Sequence, residues 1–279
     1  MLRHWQLHGT IPLPGLISVK FLIAAVFVVL VGGAAQANEP NQSIIRVLTY
    51  NIHHGEGTDG NVDLQRIADV IRRANPDFVA LQEVDRNTQR TGGIDQTKQL
   101  AELTGMHGYF FRQIDFAGGE YGQAILTKSD LIERQQFMLP GEPEREQRLL
   151  ARALFTVGGK QLWFATTHLH HADNDIREGQ VAALNALFPK IDPMKQPAIV
   201  CGDFNAVPES QAMKTIAGAW TISGAEKNLP TFPAVKPTRQ IDYVIVRGAN
   251  EMRVISTTVL AEPLASDHCP LMVEIAITP

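Results

Sequence analysis

Residues 44–83 read IIRVLTYNIHHGEGTDGNVDLQRIADVIRRANPDFVALQE, a strand–helix–strand pattern. The apolar, β-branched run Ile44–Tyr50 predicts a strand. After a Gly-rich loop, Asp63 is a good N-cap, Leu64, Ile67, Ala68 and Ile71 fall at helical spacing, and Asn75-Pro76 closes the segment. A second apolar run, Phe78–Leu81, then ends in Gln82-Glu83. Further strands are predicted at Ala124–Leu126, Leu149–Val157, Gln161–Thr167, Ala198–Cys201, Ile241–Val246, Val254–Val259 and Leu271–Ile277, several paired as hairpins through turns such as Gly158-Gly159. A second helix carries Ile176, Ala183, Leu184, Leu187 and Phe188 on one face, opened by Asp173 or Asn174 and stopped by Pro189. Strand, helix, strand followed by hairpins predicts an α/β fold: two mixed β-sheets packed face to face with helices outside, in one domain over residues 43–278.

The chain has 279 residues, 44% hydrophobic and 19% charged, which excludes a disordered tail protein, a coiled coil and a polytopic membrane protein. One apolar concentration stands out. Phe21 to Ala37 is uncharged, preceded by Arg3 and Lys20, and ends in Ala35-Gln36-Ala37. This predicts a signal peptide over residues 1–37 and an exported protein, periplasmic or secreted. An uncleaved anchor is the competing reading, but the strongly apolar part, Phe21 to Val31, is short of the roughly 20 residues that cross a bilayer. Cleavage removes Arg3 and Lys20 and no acid, leaving 242 residues with 23 bases, 29 acids and a formal charge of −6. Such a surface disfavours nucleic acid as a partner, since nonspecific binding draws on clustered Lys and Arg. Cys201 and Cys269 are too few for a disulfide scaffold; two buried thiols or a single bridge are both open.

The informative habit of this sequence is an apolar strand ending in acids, amides or histidines. Ile45–Tyr50 runs into Asn51, Phe78–Leu81 into Gln82-Glu83, Leu162–Thr167 into His168, and Ala198–Cys201 into Gly202-Asp203-Phe204-Asn205. Gln240-Ile241-Asp242-Tyr243 opens a strand, and Ser266-Asp267-His268-Cys269-Pro270 precedes the last one. A carboxylate at the end of a buried strand is costly to desolvate unless it meets a partner or a cation. The oxygen donors Asn51, Glu83, Asp203, Asn205 and Asp267 favour Mg²⁺ or Mn²⁺ over a structural zinc. His168 and His268 can donate to phosphate oxygens or move protons near neutral pH. Together these groups predict metal-assisted hydrolysis of a phosphate ester with no covalent nucleophile.

TYNIHHG (49–55), LQEVD (81–85), THL (167–169), GDFN (202–205), IDYV (241–244) and SDHCPL (266–271) resemble, in order, the signature of the endonuclease/exonuclease/phosphatase superfamily, the DNase I-like metal-dependent phosphoesterases. The resemblance implies a four-layered α/β sandwich. It implies Glu83 as principal Mg²⁺ ligand with Asn51 and Asp267 near or on the metal, and Asp203 orienting or deprotonating the attacking water. Asn205 would hold the phosphate or that water, His268 would contact the scissile phosphate with Asp242 fixing its ring, and His168 would donate from the other side. The superfamily hydrolyses DNA, RNA, inositol phosphates and phospholipid head groups, so the substrate does not follow from the fold. The charge favours a small or lipid-derived phosphodiester over a DNase-like endonuclease activity, and a non-catalytic binding module would have little reason to keep Glu83, Asp203 and His268 together.

Other residues carry two readings. His53 and His54 lie in a Gly-rich loop as rim contacts or solvated residues, and His170 and His171 lack the spacing of a zinc-hydrolase motif. Arg177 contacts a substrate phosphate or is an ordinary surface arginine, and Arg86 and Arg90 stand under the same choice. Gln123, after a Gly122 that permits close backbone approach, is a candidate to line the site. Gly141–Arg152 reads as a solvated connection.

Overall fold

The structure, a computed structural model, describes residues 15, 43–142, 146–188, 196–248 and 252–278. The expected leader, residues 1–37, lies outside the described residues except for Gly15. Among the described residues no helix is long and apolar enough to cross a membrane.

The elements follow in order β1 (Ser43–Asn51), α1 (Leu64–Ala74), β2 (Phe78–Arg86), α2 (Gln96–Thr104), β3 (His107–Phe116), β4 (Gly119–Thr127), β5 (Leu131–Met138) and β6 (Leu149–Val157). They continue with β7 (Lys160–His168), α3 (Asn174–Leu187), β8 (Ala198–Asp203), α4 (Gln211–Ala217), β9 (Thr221–Ile222), β10 (Asp242–Arg247), β11 (Met252–Val259) and β12 (Leu271–Ile277). Among the described residues two six-stranded sheets result, ordered β11-β12-β1-β2-β4-β3 and β5-β6-β7-β8-β10-β9. Both are mixed, with one parallel pair each, β1–β2 and β7–β8.

Three apolar layers hold four structural layers together. Between the sheets, Val47, Phe78, Ile125, Phe155, Phe164, Ile199, Val244 and Val273 form one core. Phe78 meets the rings of Phe155 and Phe164 at 5.2 and 5.1 Å. A second core fills the space between the first sheet and α1 and α2, through Leu48, Ile67, Ile71, Leu81 and Leu100. A third packs α3 and α4 on the second sheet through Val181, Leu184, Ile216, Phe204 and Tyr243. The chain therefore folds as the four-layered α/β sandwich that the strand pattern and the resemblance predict.

Both predicted helix starts form. The Asp63 side chain accepts from the Arg66 amide at 3.0 Å, and that of Asp173 accepts from Asp175 and Ile176 at 2.9 and 3.1 Å. The stop expected at Pro189 lies outside the described residues. β3, β5, β9, α2 and α4 were not evident in the sequence. β3, β5 and β9 sit at sheet edges, where one flank of the ladder stays unpaired and a mixed polar sequence such as LIERQQFM (131–138) suffices.

Both cysteines are buried free thiols. Cys201 packs in the core between the sheets, and Cys269 Sγ lies 3.7 Å from the Ala234 carbonyl oxygen.

A candidate active site where the two sheets meet

Strand direction explains why the polar ends converge. β1 and β2 run parallel in one sheet and β7 and β8 in the other, so Asn51, Glu83, His168 and Asp203 all stand at or near C-terminal ends. β10 and β12 run antiparallel to their neighbours and contribute their beginnings, Asp242 and the 266–268 turn. Register completes the second sheet's share, for His168 pairs with Asp203 and Asp203 with Asp242 across adjacent strands.

Glu83 owes its position to a break in the ladder. Leu81 faces Ala124 and Val84 faces Gly122, so Gln82 and Glu83 together oppose Gln123 alone. This bulge gives Glu83 a left-handed φ of 59° and turns its carboxylate out of the strand's alternation. The Asn51 amide nitrogen donates to Glu83 Oε1 at 2.9 Å and approaches Asp203 Oδ2 at 3.3 Å, tying one sheet to the other. Close packing at this edge requires glycine: a Cβ on Gly202 would lie 1.9 Å from the Thr167 carbonyl oxygen, between His168 and Asp203.

Asp203 is the centre of the constellation and only 2% exposed. Its Oδ1 accepts from the Asn205 amide at 2.8 Å. Its Oδ2 lies 3.4 Å from His168 Nε2 and 3.7 Å from His268 Nε2. Burial, reinforced by the nearby Asp242 charge and opposed by His268, pushes the Asp203 carboxyl up to about 7. His268 Nδ1 donates to Asp242 Oδ2 at 2.9 Å, and Thr231 Oγ1 donates to the same oxygen at 2.5 Å. Burial works against the imidazolium, but the charge and hydrogen bond of Asp242, with Asp203, outweigh it and raise His268 to about 10. His168 moves the other way: burial first, then Arg148, His268 and His171, hold it well below the usual histidine range. The site thus contains one charged imidazole, one neutral imidazole and a carboxylate able to take a proton near neutral pH.

Cation-holding chemistry is present on the same edge. An amide nitrogen stands between the carboxylates of Glu83 and Asp203, and Asp242 Oδ1 is buried without a hydrogen-bond partner among the described residues. Negative groups held this closely fit a divalent ion. Asp203, Asp242 and His268 form one group with ligand atoms within 4.8 Å, and His53, His54 and Glu83 form another. Asp267 belongs to neither group; its carboxylate lies 3.4 Å from Ser266 Oγ.

Gln123, a candidate to line the site, and Arg177, read as a substrate contact or a surface arginine, are both buried and engaged within the protein. Gln123 is fully buried, bonding Thr166 Oγ1 and the Leu149 carbonyl at 2.9 and 3.2 Å, so it braces the site from beneath. Arg177 donates to the carbonyls of His170 and His171 at 2.6 and 3.3 Å and to the Asn174 side chain, which fixes the loop after His168. Arg90 is held bidentately by Asp85 at 2.7 and 2.8 Å, and Arg86 pairs with Glu120. His170 Nδ1 accepts from the amide of Asp173 at 3.0 Å. Far from standing in a solvated connection, Arg148 is only 3% exposed and pairs with Glu146 at 3.1 Å.

Three contributors escaped sequence reading: Thr231 on Asp242, Ser266, whose hydroxyl donates to the Asn51 carbonyl at 2.7 Å, and Phe232, whose ring centroid lies 4.8 Å from that of His268. Ser266 had a signal in its place beside Asp267. Thr231 and Phe232, in a loop, had none.

Residues 48–268 match the Endonuclease/Exonuclease/phosphatase family, across nearly all of the constellation just described. The chain belongs to this family. Among solved structures it is similar to an endonuclease/exonuclease/phosphatase from Beutenbergia cavernae, with 25% identity, a TM-score of 0.69 and coverage of 84% of this chain and 72% of that one. A mannosyl-6-phosphatase from Bacteroides thetaiotaomicron is 20% identical over 83% of this chain and 99% of that one, with a TM-score of 0.68. The catalytic domain of human nocturnin with bound sulfate is 22% identical over 85% and 98%, with a TM-score of 0.66. No curated protein matches the chain. Members of the endonuclease/exonuclease/phosphatase family hydrolyse phosphoester bonds, and this member carries acidic and histidine groups that could hold a metal.

Proposed function

We propose that this protein is an exported, Mg²⁺-dependent phosphoesterase that hydrolyses a small or lipid-derived phosphodiester by direct attack of water. The observation that carries the reading is the buried Asp203 carboxylate, locked on one oxygen by Asn205 and approached on the other by Asn51, His168 and His268. Glu83, with Asn51 and Asp267, would hold Mg²⁺ or Mn²⁺, which when bound neutralises phosphoryl oxygens.

Asp203 orients the water and takes its proton, a role that suits a carboxyl raised by burial toward neutrality. His268, kept charged by Asp242, donates through Nε2 to the phosphoryl group, and His168 donates from the opposite side. Asn205 holds the water-binding carboxylate in place through its backbone while its side chain donates to the Leu169 carbonyl at 3.1 Å. The formal charge of −6 after removal of residues 1–37 supports a small ester over duplex DNA. The apolar run Phe21 to Ala37 supports export.

The test is a panel of phosphomonoesters, phosphodiesters and nucleic acids assayed with Mg²⁺ or Mn²⁺ and with EDTA, using His268→Ala as the blank. Turnover that EDTA and Glu83→Ala both abolish supports the reading; no hydrolysis of any ester, with Glu83→Ala indistinguishable from wild type, ends it. A salt series on the best substrate decides its class. A small ester responds weakly, whereas a steep fall with salt would assign a DNase-like activity instead.

A further inference from the structure

We propose a second metal site, built from His53, His54 and Glu83 and selective for a nitrogen-preferring divalent cation such as Zn²⁺ or Co²⁺. One ligand atom from each of the three lies within 4.8 Å of the others. In an extended strand consecutive side chains point to opposite faces. Here His53 and His54 both take left-handed φ values, 45° and 44°, and their ring centroids come within 4.5 Å.

The outer contacts of both rings are those of metal-ligating imidazoles. His53 Nδ1 meets the Glu56 carbonyl at 3.3 Å, which leaves Nε2 as its lone-pair nitrogen. His54 Nε2 meets the Glu56 carboxylate at 3.3 Å, leaving the lone pair on Nδ1. That Nδ1 is buried with no hydrogen-bond partner among the described residues, in a side chain only 7% exposed. An unmet buried acceptor costs about 1–3 kcal/mol, a penalty that a bound cation removes. Arg90 does not block a cation, because Asp85 neutralises it bidentately.

Two imidazoles and one carboxylate suit zinc-like ions, whereas Mg²⁺ favours oxygen donors. Glu83 is then shared between this site and the oxygen-rich one beside Asn51. The inference goes beyond the phosphoesterase reading and stands without it, since binding is measured without substrate.

The experiment is a Co²⁺ titration of the EDTA-treated full chain in excess Mg²⁺, followed by visible absorption and by metal content after dialysis. Wild type is expected to retain one Co²⁺ per chain with an imidazole-type spectrum, and His53→Gln, His54→Gln and Glu56→Gln to bind it about tenfold or more weakly. Because buried His54 could be needed for folding, half-buried His53 decides the matter if the His54 variant fails to melt cooperatively. Equal Co²⁺ affinity in wild type and His53→Gln, or complete displacement of Co²⁺ by Mg²⁺, would overturn the site. A chain that binds Co²⁺ this way yet hydrolyses no ester would defeat the phosphoesterase reading and leave this one intact.

Discussion

Asp242 sets the charge of His268. Both the hydrogen bond at 2.9 Å and the carboxylate's charge favour the imidazolium, against a burial that disfavours it. Asp242→Asn is therefore expected to lower kcat about 10²- to 10⁴-fold with a much smaller change in KM, by analogy with removal of a histidine-orienting carboxylate. The accompanying signature is a fall in the His268 titration midpoint toward ordinary histidine values, read by NMR of the ring protons. An unchanged midpoint would show that the carboxylate does not govern the ring. The resemblance of IDYV (241–244) and SDHCPL (266–271) to the superfamily signature implied this pair, and a charged imidazole benefits from a buried carboxylate partner; nothing in the sequence pointed to Thr231, whose role depends on a loop returning to Asp242. Gln123 shows the opposite failure. Its place beside Gly122 put it near the site, but only the packing of one sheet on the other turned its amide inward to Thr166 and Leu149.

At the scale of elements, the geometry depends on strands that approach without side chains between them. Gly202 sits at a φ of 152°, and the Cβ of an alanine there would press on the Thr167 carbonyl at 1.9 Å. Gly202→Ala is expected to destabilise the fold by about 2–3 kcal/mol, measured by urea denaturation, because β7 and β8 must separate. It should also cost activity in the fraction that remains folded, since His168 and Asp203 stand on either side of the strain. The Asp63 cap offers a milder test on α1. Asp63→Ala should cost about 1 kcal/mol while leaving turnover at saturating substrate unchanged. The starts of α1 and α3 were legible because an Asp precedes a periodic apolar stripe, an arrangement local enough to read. α2 was not legible: its sequence QTKQLAELT buries just one large apolar side chain, Leu100. The bulge at Glu83 was equally hidden, since it arises from a mismatch with β4 rather than from β2 itself.

For the molecule as a whole, the site stands at the edge of the core that joins the two sheets. Phe78→Ala, removing a ring that contacts Phe155 and Phe164 of the opposite sheet, is expected to cost about 3–5 kcal/mol, with a lowered Tm by calorimetry. Buried titrations also reach the global stability. Asp203 has its folded pKa raised from 3.8 to about 7, so its stabilising contribution is complete below 3.8 and lost as pH climbs through 7. His268, raised from 6.5 to about 10, contributes in the same sense at higher pH, while His168, lowered by burial, acts oppositely. In EDTA, the stability of Asp203→Asn relative to wild type should therefore rise between pH 4 and 7, as seen in thermal melts. A constant difference across that range would contradict the elevated carboxyl.

The class of layers, the strands of the interior, the starts of two helices and the identity of the polar groups that end the strands were all readable along the chain. Those follow from periodicity, capping and the cost of burying charge, all of which act over a few residues. Beyond the Asp242–His268 pair, which groups meet was decided only in three dimensions: Asn51 with Asp203, and His53 with His54 and Glu83. The tertiary structure also decided which arginines and glutamines are consumed as internal braces. Such meetings depend on strand register and on the packing of two sheets, and these are fixed by the balance of the whole core, which no single segment contains.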